Sequence, residues 1–248
     1  MLRLLISLLL AATYAAAAIT VVQSKSCDSA GATVTTQTCS FNVLPSVNNA
    51  IIVSIAWYNF NGAITATVTD NQGNTYSQAA TPVANAAKNE ATVYAAVAAA
   101  SSGAFTVSDH LSAATYTVVH IYEVSGLQTT GIPDQATAGF SDASASSASA
   151  ITSPTTGAVD FVIGAAAFNS GSTTGNAAGG GYTLGLVSGN TNLTVVGLID
   201  VYRTNATSGA QSPTVTFGFT QAAGYSMMGA AYKGIGTTSK VKHEVTHF

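Results

Sequence analysis

IIVSIAWY, residues 51–58, sets the fold class of this chain. Ile51, Val53, Ile55 and Trp57 alternate with four residues that are also mostly apolar. Successive side chains of a strand point to opposite faces, so this pattern places apolar groups on both faces. The stretch therefore predicts a strand at the centre of an all-β fold.

Similar patterns recur along the chain, and no segment shows a helical period with capping residues. The other strand-like segments are 32–43, 64–68, 75–78, 91–98, 104–108, 115–124, 159–168, 182–187, 193–203, 214–219 and 225–233. The interval 125–156 is either a long surface connection or a pair of strands with weak signals. We expect one antiparallel β-sandwich of roughly ten strands, jelly-roll or immunoglobulin-like.

The two halves of the chain show the same order of motifs, which suggests a degenerate repeat. Three tyrosine pairs have spacings of 106, 108 and 110 positions: Tyr76 and Tyr182, Tyr94 and Tyr202, and Tyr122 and Tyr232. A chance alignment is the alternative, because tyrosine-rich strands are common in sandwiches. Neither half is expected to bury its apolar faces alone, so a single domain is preferred to two.

Four short motifs give the chain a family resemblance. They are T-D-x-x-G-N-x-Y at 69–76, E-x-S-G-L at 123–127, G-x-G-Y-T at 179–183 and an aromatic–Lys pair at 232–233. In these motifs the chain resembles a group of secreted bacterial β-sandwich modules, over roughly residues 40–235. The resemblance implies a secreted β-sandwich, and it supplies no catalytic residues.

The N-terminus has the pattern of an export signal. A basic start that includes Arg3 precedes the apolar run 4–10 and an alanine-rich stretch, so residues 1–18 are predicted to be a signal peptide cleaved after Ala17 or Ala18. A retained membrane anchor, or an apolar segment that packs into a neighbouring subunit, are the alternatives. We expect the sandwich over 19–236, a flexible tail over 237–248, and no membrane span after cleavage.

Charge is scarce in this sequence. Charged residues make up 7% of the chain, with a formal net charge of −3, and 19–236 contains four basic and nine acidic residues. Seven Lys and Arg in total are too few for a basic nucleic-acid-binding surface, and coiled coils also need more charge. A surface rich in Ser, Thr, Asn and Gly lacks the charged edge residues that usually prevent strand-to-strand association.

The two cysteines, Cys27 and Cys39, are predicted to form one disulfide, because a single pair in an exported chain is normally oxidised. Two free thiols are the alternative. A metal site is not expected here, since no His or further Cys lies nearby in the sequence.

Two groups of residues could contact a ligand or an ion. Asp70, Asn71 and Asn74 offer oxygen ligands that calcium prefers, although the same residues suit a plain turn. Trp57 and Tyr58 lie beside asparagines and could stack on a sugar, although the single tryptophan also suits the core. No other cofactor is expected.

Candidate catalytic residues are sparse. Glu123 and Asp200 each lie in an apolar strand and could form a glycosidase pair only if they converge. His120 lies between aromatic and aliphatic neighbours and suits a buried structural role. The H-E-x-x-H sequence at 243–247 matches a zinc protease motif. We interpret it as fortuitous, because only Phe248 follows it in this sequence and phenylalanine cannot serve as the third zinc ligand.

These observations predict an exported, non-enzymatic structural or adhesive protein of the cell surface or extracellular matrix. Its expected partners are other copies of itself or surface polysaccharide, and Ile19–Ser24 could add as a strand to its own sandwich or to a neighbour's. A carbohydrate-binding module is the first alternative, and a glycoside hydrolase or lyase is the second.

Overall fold

The structure is a computed structural model that describes residues 18–60, 64–85, 89–97, 103–130, 133–141, 143–169, 174–189, 195–221 and 224–235. The predicted signal segment up to Ala17 and the tail 237–248 lie outside these residues. Within the described ranges there is no helix, and therefore none long and apolar enough to cross a membrane.

The first half of the chain forms two antiparallel sheets. Its eight strands are β1 (Thr20–Asp28), β2 (Val34–Ser40), β3 (Ala50–Tyr58), β4 (Ala66–Asp70), β5 (Ser77–Gln78), β6 (Asn89–Val97), β7 (Thr106–Thr115) and β8 (Thr117–Ser125). The five-stranded sheet has the order β1-β8-β3-β6-β5, and the three-stranded sheet has the order β2-β7-β4. Eight strands that alternate between two sheets in this way form a jelly-roll arrangement.

The second half repeats this topology. Its strands are β9 (Gln135–Ser141), β10 (Ala145–Ser149), β11 (Asp160–Phe168), β12 (Ala177–Ala178), β13 (Thr183–Gly189), β14 (Gly197–Ala206), β15 (Thr214–Gln221) and β16 (Tyr225–Lys233). Its sheets have the orders β9-β16-β11-β14-β13 and β10-β15-β12. When eight is added to each strand number, the two sheet orders of the first half become the two sheet orders of the second half. The predicted repeat is therefore confirmed in the strand order.

The all-β, antiparallel class is confirmed, but the expected strand number is too low. The described residues form sixteen strands in four layers, because each half is already a two-sheet sandwich. The interval 125–156 contains the two strands β9 and β10 rather than one long loop. Both have small, polar sequences without alternating large apolar residues, which is why their signal was weak.

The two halves pack through their five-stranded sheets. In the shared core β3 contacts β11, β8 contacts β14 and β6 contacts β16, so exchanging the halves reproduces the same contacts. This pseudo-two-fold interface is isologous within one chain. The central strands β3 and β11 are consequently covered on both faces, as the apolar pattern of residues 51–58 predicted.

The segment that begins the described chain completes its own first sandwich. Strand β1 pairs antiparallel with β8, and Ile19 is buried in the core between the halves. The predicted disulfide joins Cys27 on β1 to Cys39 on β2, with 5.5 Å between the Cα atoms. This bond connects the edge of the five-stranded sheet to the three-stranded sheet beneath it.

Both ends of the described chain meet at the connection between the halves. Gly126 has φ of +80°, and a Cβ atom there would lie 2.7 Å from Ala18 O. Gly126 O also accepts a hydrogen bond from Ile235 N at 2.8 Å. Only glycine fits this conformation and this close approach, which explains the glycine of the E-x-S-G-L motif.

The tyrosine spacing identified the correct strands but not always the correct positions. Tyr122 of β8 and Tyr232 of β16 both point into the core between the halves. Tyr94 of β6 instead faces the three-stranded sheet of its own half, whereas Tyr202 of β14 packs against the core between the halves. A shift of one residue reverses the face of a strand, so this pair is equivalent in strand only.

Candidate functional site

The predicted aromatic platform is divided between the core and the surface. Trp57 is fully buried between β3 and the sheet β2-β7-β4, and its Nε1 donates to Ile64 O at 3.2 Å. Its role is that of a core residue, because no face of its indole is open for stacking. Tyr58 is half-buried beside the exposed ring of Phe60, with ring centroids 6.1 Å apart.

A pocket of about 240 Å³ lies next to Trp57, at one end of the first sandwich. Glu90, which is paired with Trp57 in the β3–β6 register, supplies its carboxylate. Gln78 and Thr81 provide further polar atoms, and both residues are exposed. The pocket thus combines one acidic group with amide and hydroxyl groups.

Glu90 is held in place by a neighbour from the end of β3. Asn59 Nδ2 donates to Glu90 Oε1 at 2.7 Å, and Asn59 Oδ1 accepts from Ile64 N at 3.0 Å. Burial raises the pKa of Glu90, and the hydrogen bond from Asn59 opposes that effect. Glu90 is therefore a fixed, partly desolvated carboxyl group beside an open pocket.

The Asp70 loop is a closed turn. Asp70 Oδ1 accepts from Gln72 N and Asn74 N, and its Oδ2 accepts from Asn74 Nδ2 and Tyr76 Oη at 2.7 and 2.9 Å. Asn71 Oδ1 accepts from the backbone of β7. These bonds and the positive φ of Gly73 account for the T-D-x-x-G-N-x-Y motif as a structural turn.

Within the described ranges, no three His, Cys, Asp or Glu side chains come together as a metal site. Two other carboxyl groups of the first half, Glu90 and Asp109, accept hydrogen bonds from Asn59 and Thr117. The oxygen atoms of Asp70 itself are engaged by the turn. This geometry favours the turn interpretation of 70–74 over calcium binding.

Glu123 and Asp200 do not converge. Glu123 Oε1 accepts from Ser46 N at 2.8 Å and from Asn49 Nδ2 at 2.6 Å, and Gln23 Nε2 donates to Oε2. Glu123 therefore fixes the loop between β2 and β3. Asp200 bonds to His120 and Tyr122, which project from the opposite face of β8.

The contacts of Asp200 form a polar cluster in the core between the halves. His120 Nδ1 lies 2.7 Å from Asp200 Oδ2, and Tyr122 Oη donates to the same oxygen at 2.8 Å. Leu186 N donates to Tyr122 Oη at 2.9 Å. The cluster joins β8 of the first half to β13 and β14 of the second.

Ser54 is the cross-strand neighbour of His120, and His120 contacts Asp200. A serine, a histidine and an aspartate are therefore neighbours in space. All three side chains are fully buried, and within the described ranges Ser54 Oγ and His120 Nε2 have no hydrogen-bond partner. A nucleophile needs a bond to its base and access for a substrate. The cluster has neither, and its geometry suits a lock between the halves.

Asp109 on β7 is another buried carboxyl group, and it lies inside the first sandwich. Thr117 Oγ1 donates to Asp109 Oδ2 at 3.1 Å. Burial raises the pKa of Asp109 to about 7, and the hydrogen bond from Thr117 opposes it. Burial, with the nearby charge of Asp109, also raises the pKa of Tyr94 to about 12.

No protein-family model matches this chain, and no curated protein or solved structure matches it either. The sequence did not predict the Glu90 pocket. Its only sequence signal is the polar pair Asn89-Glu90 at the start of an apolar strand. The H-E-x-x-H sequence lies outside the described residues.

Proposed function

We propose that this protein is an exported structural or adhesive protein that works by associating with other copies of itself. The observation that carries the proposal is the edge strand β9, whose sequence QATAGFS contains no charged residue. β9 pairs with β16 over seven positions without a register shift. A regular, uncharged edge strand exposes backbone groups to which another chain can add.

The distribution of charge supports this proposal. Five of the eight acidic residues in the described part of the chain are buried: Glu90, Asp109, Glu123, Asp160 and Asp200. Among the described charged side chains, Lys25 is the one that is exposed rather than half-buried or buried. Within the described residues fully exposed charge, which would keep copies apart, is therefore scarce.

Apolar side chains at the sheet edges support it as well. Phe140 at the end of β9 is 50% exposed, and Leu184 on the other edge strand, β13, is 37% exposed. A second copy that pairs with β9 would cover Phe140 in an isologous contact. Export is supported by the signal-like residues 1–18 and by the disulfide, which is typical of oxidising compartments.

Sedimentation velocity of residues 19–248 tests the proposal. We expect the sedimentation coefficient to rise with concentration across the micromolar range. Phe140→Lys adds a charge to the β9 edge and should shift the population toward monomer. Val47→Lys is the matched control, because Val47 is an exposed apolar residue that lies in a loop.

The proposal fails if the protein is monomeric at every concentration. It also fails if Phe140→Lys and Val47→Lys sediment like the unsubstituted chain while that chain associates. In the second case association would use a surface other than β9.

A further inference from the structure

The Glu90 pocket has the composition of a site for a small polar ligand. Glu90, Asn59, Gln78, Thr65 and Thr81 contribute its polar groups. Its volume of about 240 Å³ is slightly below the roughly 300–1,000 Å³ of sites for drug-sized ligands. A ligand of one small ring therefore matches its size.

Its polar groups are oriented by the fold before any ligand arrives. Asn59 fixes one carboxylate oxygen of Glu90, and Gln78 Nε2 donates to Thr92 Oγ1 at 3.0 Å. A pre-oriented carboxyl and amide lose little conformational entropy when they bind a ligand. Carboxyl, amide and hydroxyl groups together can accept hydrogen bonds from neighbouring hydroxyl groups and donate to others.

Another part of the pocket wall is apolar. Pro82 supplies carbon surface that can contact the C–H groups of a ring, and the buried side chains of Trp57, Ile64 and Ala66 complete this part of the lining. Mixed walls with a few oriented polar groups are typical of ligand sites. Among the described lining residues Glu90 is the one acidic residue, and its burial disfavours the ionised form, so the pocket is poorly suited to a metal cation.

We infer that this pocket binds one uncharged pyranose ring, with Glu90 as the principal hydrogen-bonding group. The ring can be a free monosaccharide or the terminal unit of a polysaccharide, which present the same hydroxyl groups. This inference is independent of self-association through β9, which lies in the other half of the chain.

Trp57 provides the measurement, because it is the only tryptophan of the chain and part of the pocket wall. Its fluorescence is titrated with glucose, galactose, mannose and N-acetylglucosamine at millimolar concentrations. We expect a saturable change with at least one of these sugars. Oligosaccharides that end in that sugar form the second arm, and tighter binding to them identifies a chain end as the preferred source.

Two variants and a control assign the binding to the pocket. Glu90→Gln keeps the acceptor for Asn59 but replaces the second carboxyl oxygen with an amide donor, and it should weaken binding of the responding sugar about tenfold, the equivalent of one hydrogen bond. Thr81→Val, at an exposed position of the lining, should weaken it less. Asp109→Asn removes a buried carboxyl outside the lining and should leave the affinity unchanged.

Three results would overturn the inference. One is the absence of any fluorescence response to all four sugars. Another is a Glu90→Gln affinity equal to that of the unsubstituted chain. The third is a response to calcium chloride that none of the sugars reproduces, which would identify a cation site.

Discussion

Strands β1 and β9 occupy the same place in the two halves, yet they protect their edges differently. β1 carries Lys25 and Asp28, has a register shift between Val21 and Gln23, and is joined to β2 through Cys27. β9 has no charge, no register shift and no disulfide. Charges and bulges are the usual devices that keep an edge strand from pairing.

The two halves share a topology but differ in the features that they carry. The first half holds the disulfide and the Glu90 pocket, and its edge strand is protected. The second half presents the regular edge of β9 and the exposed ring of Phe140. Topology alone therefore does not indicate function here, because both halves share it and only their residues differ.

The core between the halves shows the same contrast on its two sides. On one side His120 and Asp200 form a buried pair with Tyr122. On the other side Ser226 of β16 makes the contact: its Oγ donates to Val83 O at 2.6 Å and accepts from Ala91 N at 3.3 Å. One side of the interface is thus joined by an imidazole–carboxyl pair and the other by a neutral serine hydroxyl.

Among the substitutions considered, Asp200→Ala should lower the free energy of unfolding most. It leaves His120 and the Tyr122 hydroxyl without their shared acceptor, and removing one member of a buried pair costs about 3–5 kcal/mol. Chemical denaturation gives the free energy of unfolding. The double variant His120→Gln/Asp200→Asn retains a neutral hydrogen-bonding pair and should lose less than Asp200→Ala. A larger loss in the double variant would contradict the proposed lock.

The pH dependence of stability should distinguish the interiors of the two sandwiches. Asp109 has a pKa of about 7 in the folded chain, against about 3.9 in an unfolded chain. Between these values the folded state keeps a proton that the unfolded state has released. The contribution of Asp109 to stability is therefore fully present below about pH 4 and is lost as pH rises to 7, by about 2–3 kcal/mol between pH 5 and 7.

Asp109→Asn should flatten this decline, because the asparagine does not titrate. Burial also raises the pKa of Glu90 and Asp160, so some decline should remain. On the matching strand β15 the inward residues are Val215 and Phe217, which do not titrate. Thermal unfolding at several pH values measures the slope, and an unchanged slope in Asp109→Asn would rule out this assignment.

The tyrosines of the repeat provide the smallest and most closely matched test. Tyr122→Phe removes two hydrogen bonds, to Asp200 and from Leu186 N, and should cost about 1–3 kcal/mol. Tyr232 Oη is buried and has no hydrogen-bond partner within the described ranges, so Tyr232→Phe should be neutral or stabilising. Equal losses in the two variants would show that the polar cluster contributes nothing specific.

The parts of the fold that were predictable had strong, regular patterns. Residues 51–58 indicated a strand with two buried faces, and Cys27 and Cys39 indicated their own bond. β10 and β12 consist of small or polar residues, β9 has Phe140 as its one large apolar residue, and the pairing of all three depends on partners distant in sequence. Because these strands were not recognised, the second half was not predicted to form two sheets of its own, and the four-layer architecture was missed.

The candidate site was less predictable, because its residues come together only in the folded chain. Local motifs indicated Asp70 and Trp57 as candidates. In the structure Asp70 stabilises a turn, and Trp57 is part of the core. Glu90 and Asn59 are separated by 31 positions, and a hydrogen bond at that distance has no local signature. Periodicity identifies buried faces, but it does not identify which polar residues meet at the end of a sheet.

Hydrogen–deuterium exchange at low and high protein concentration tests self-association through β9 most directly. We predict that backbone amides of residues 136–140 become more protected as concentration rises, while those of residues 21–25 on β1 are unchanged. Pairing with a second copy would hydrogen-bond the open edge of β9 and slow its exchange. Exchange on β9 that does not depend on concentration, or an equal gain of protection on β1, would contradict the account.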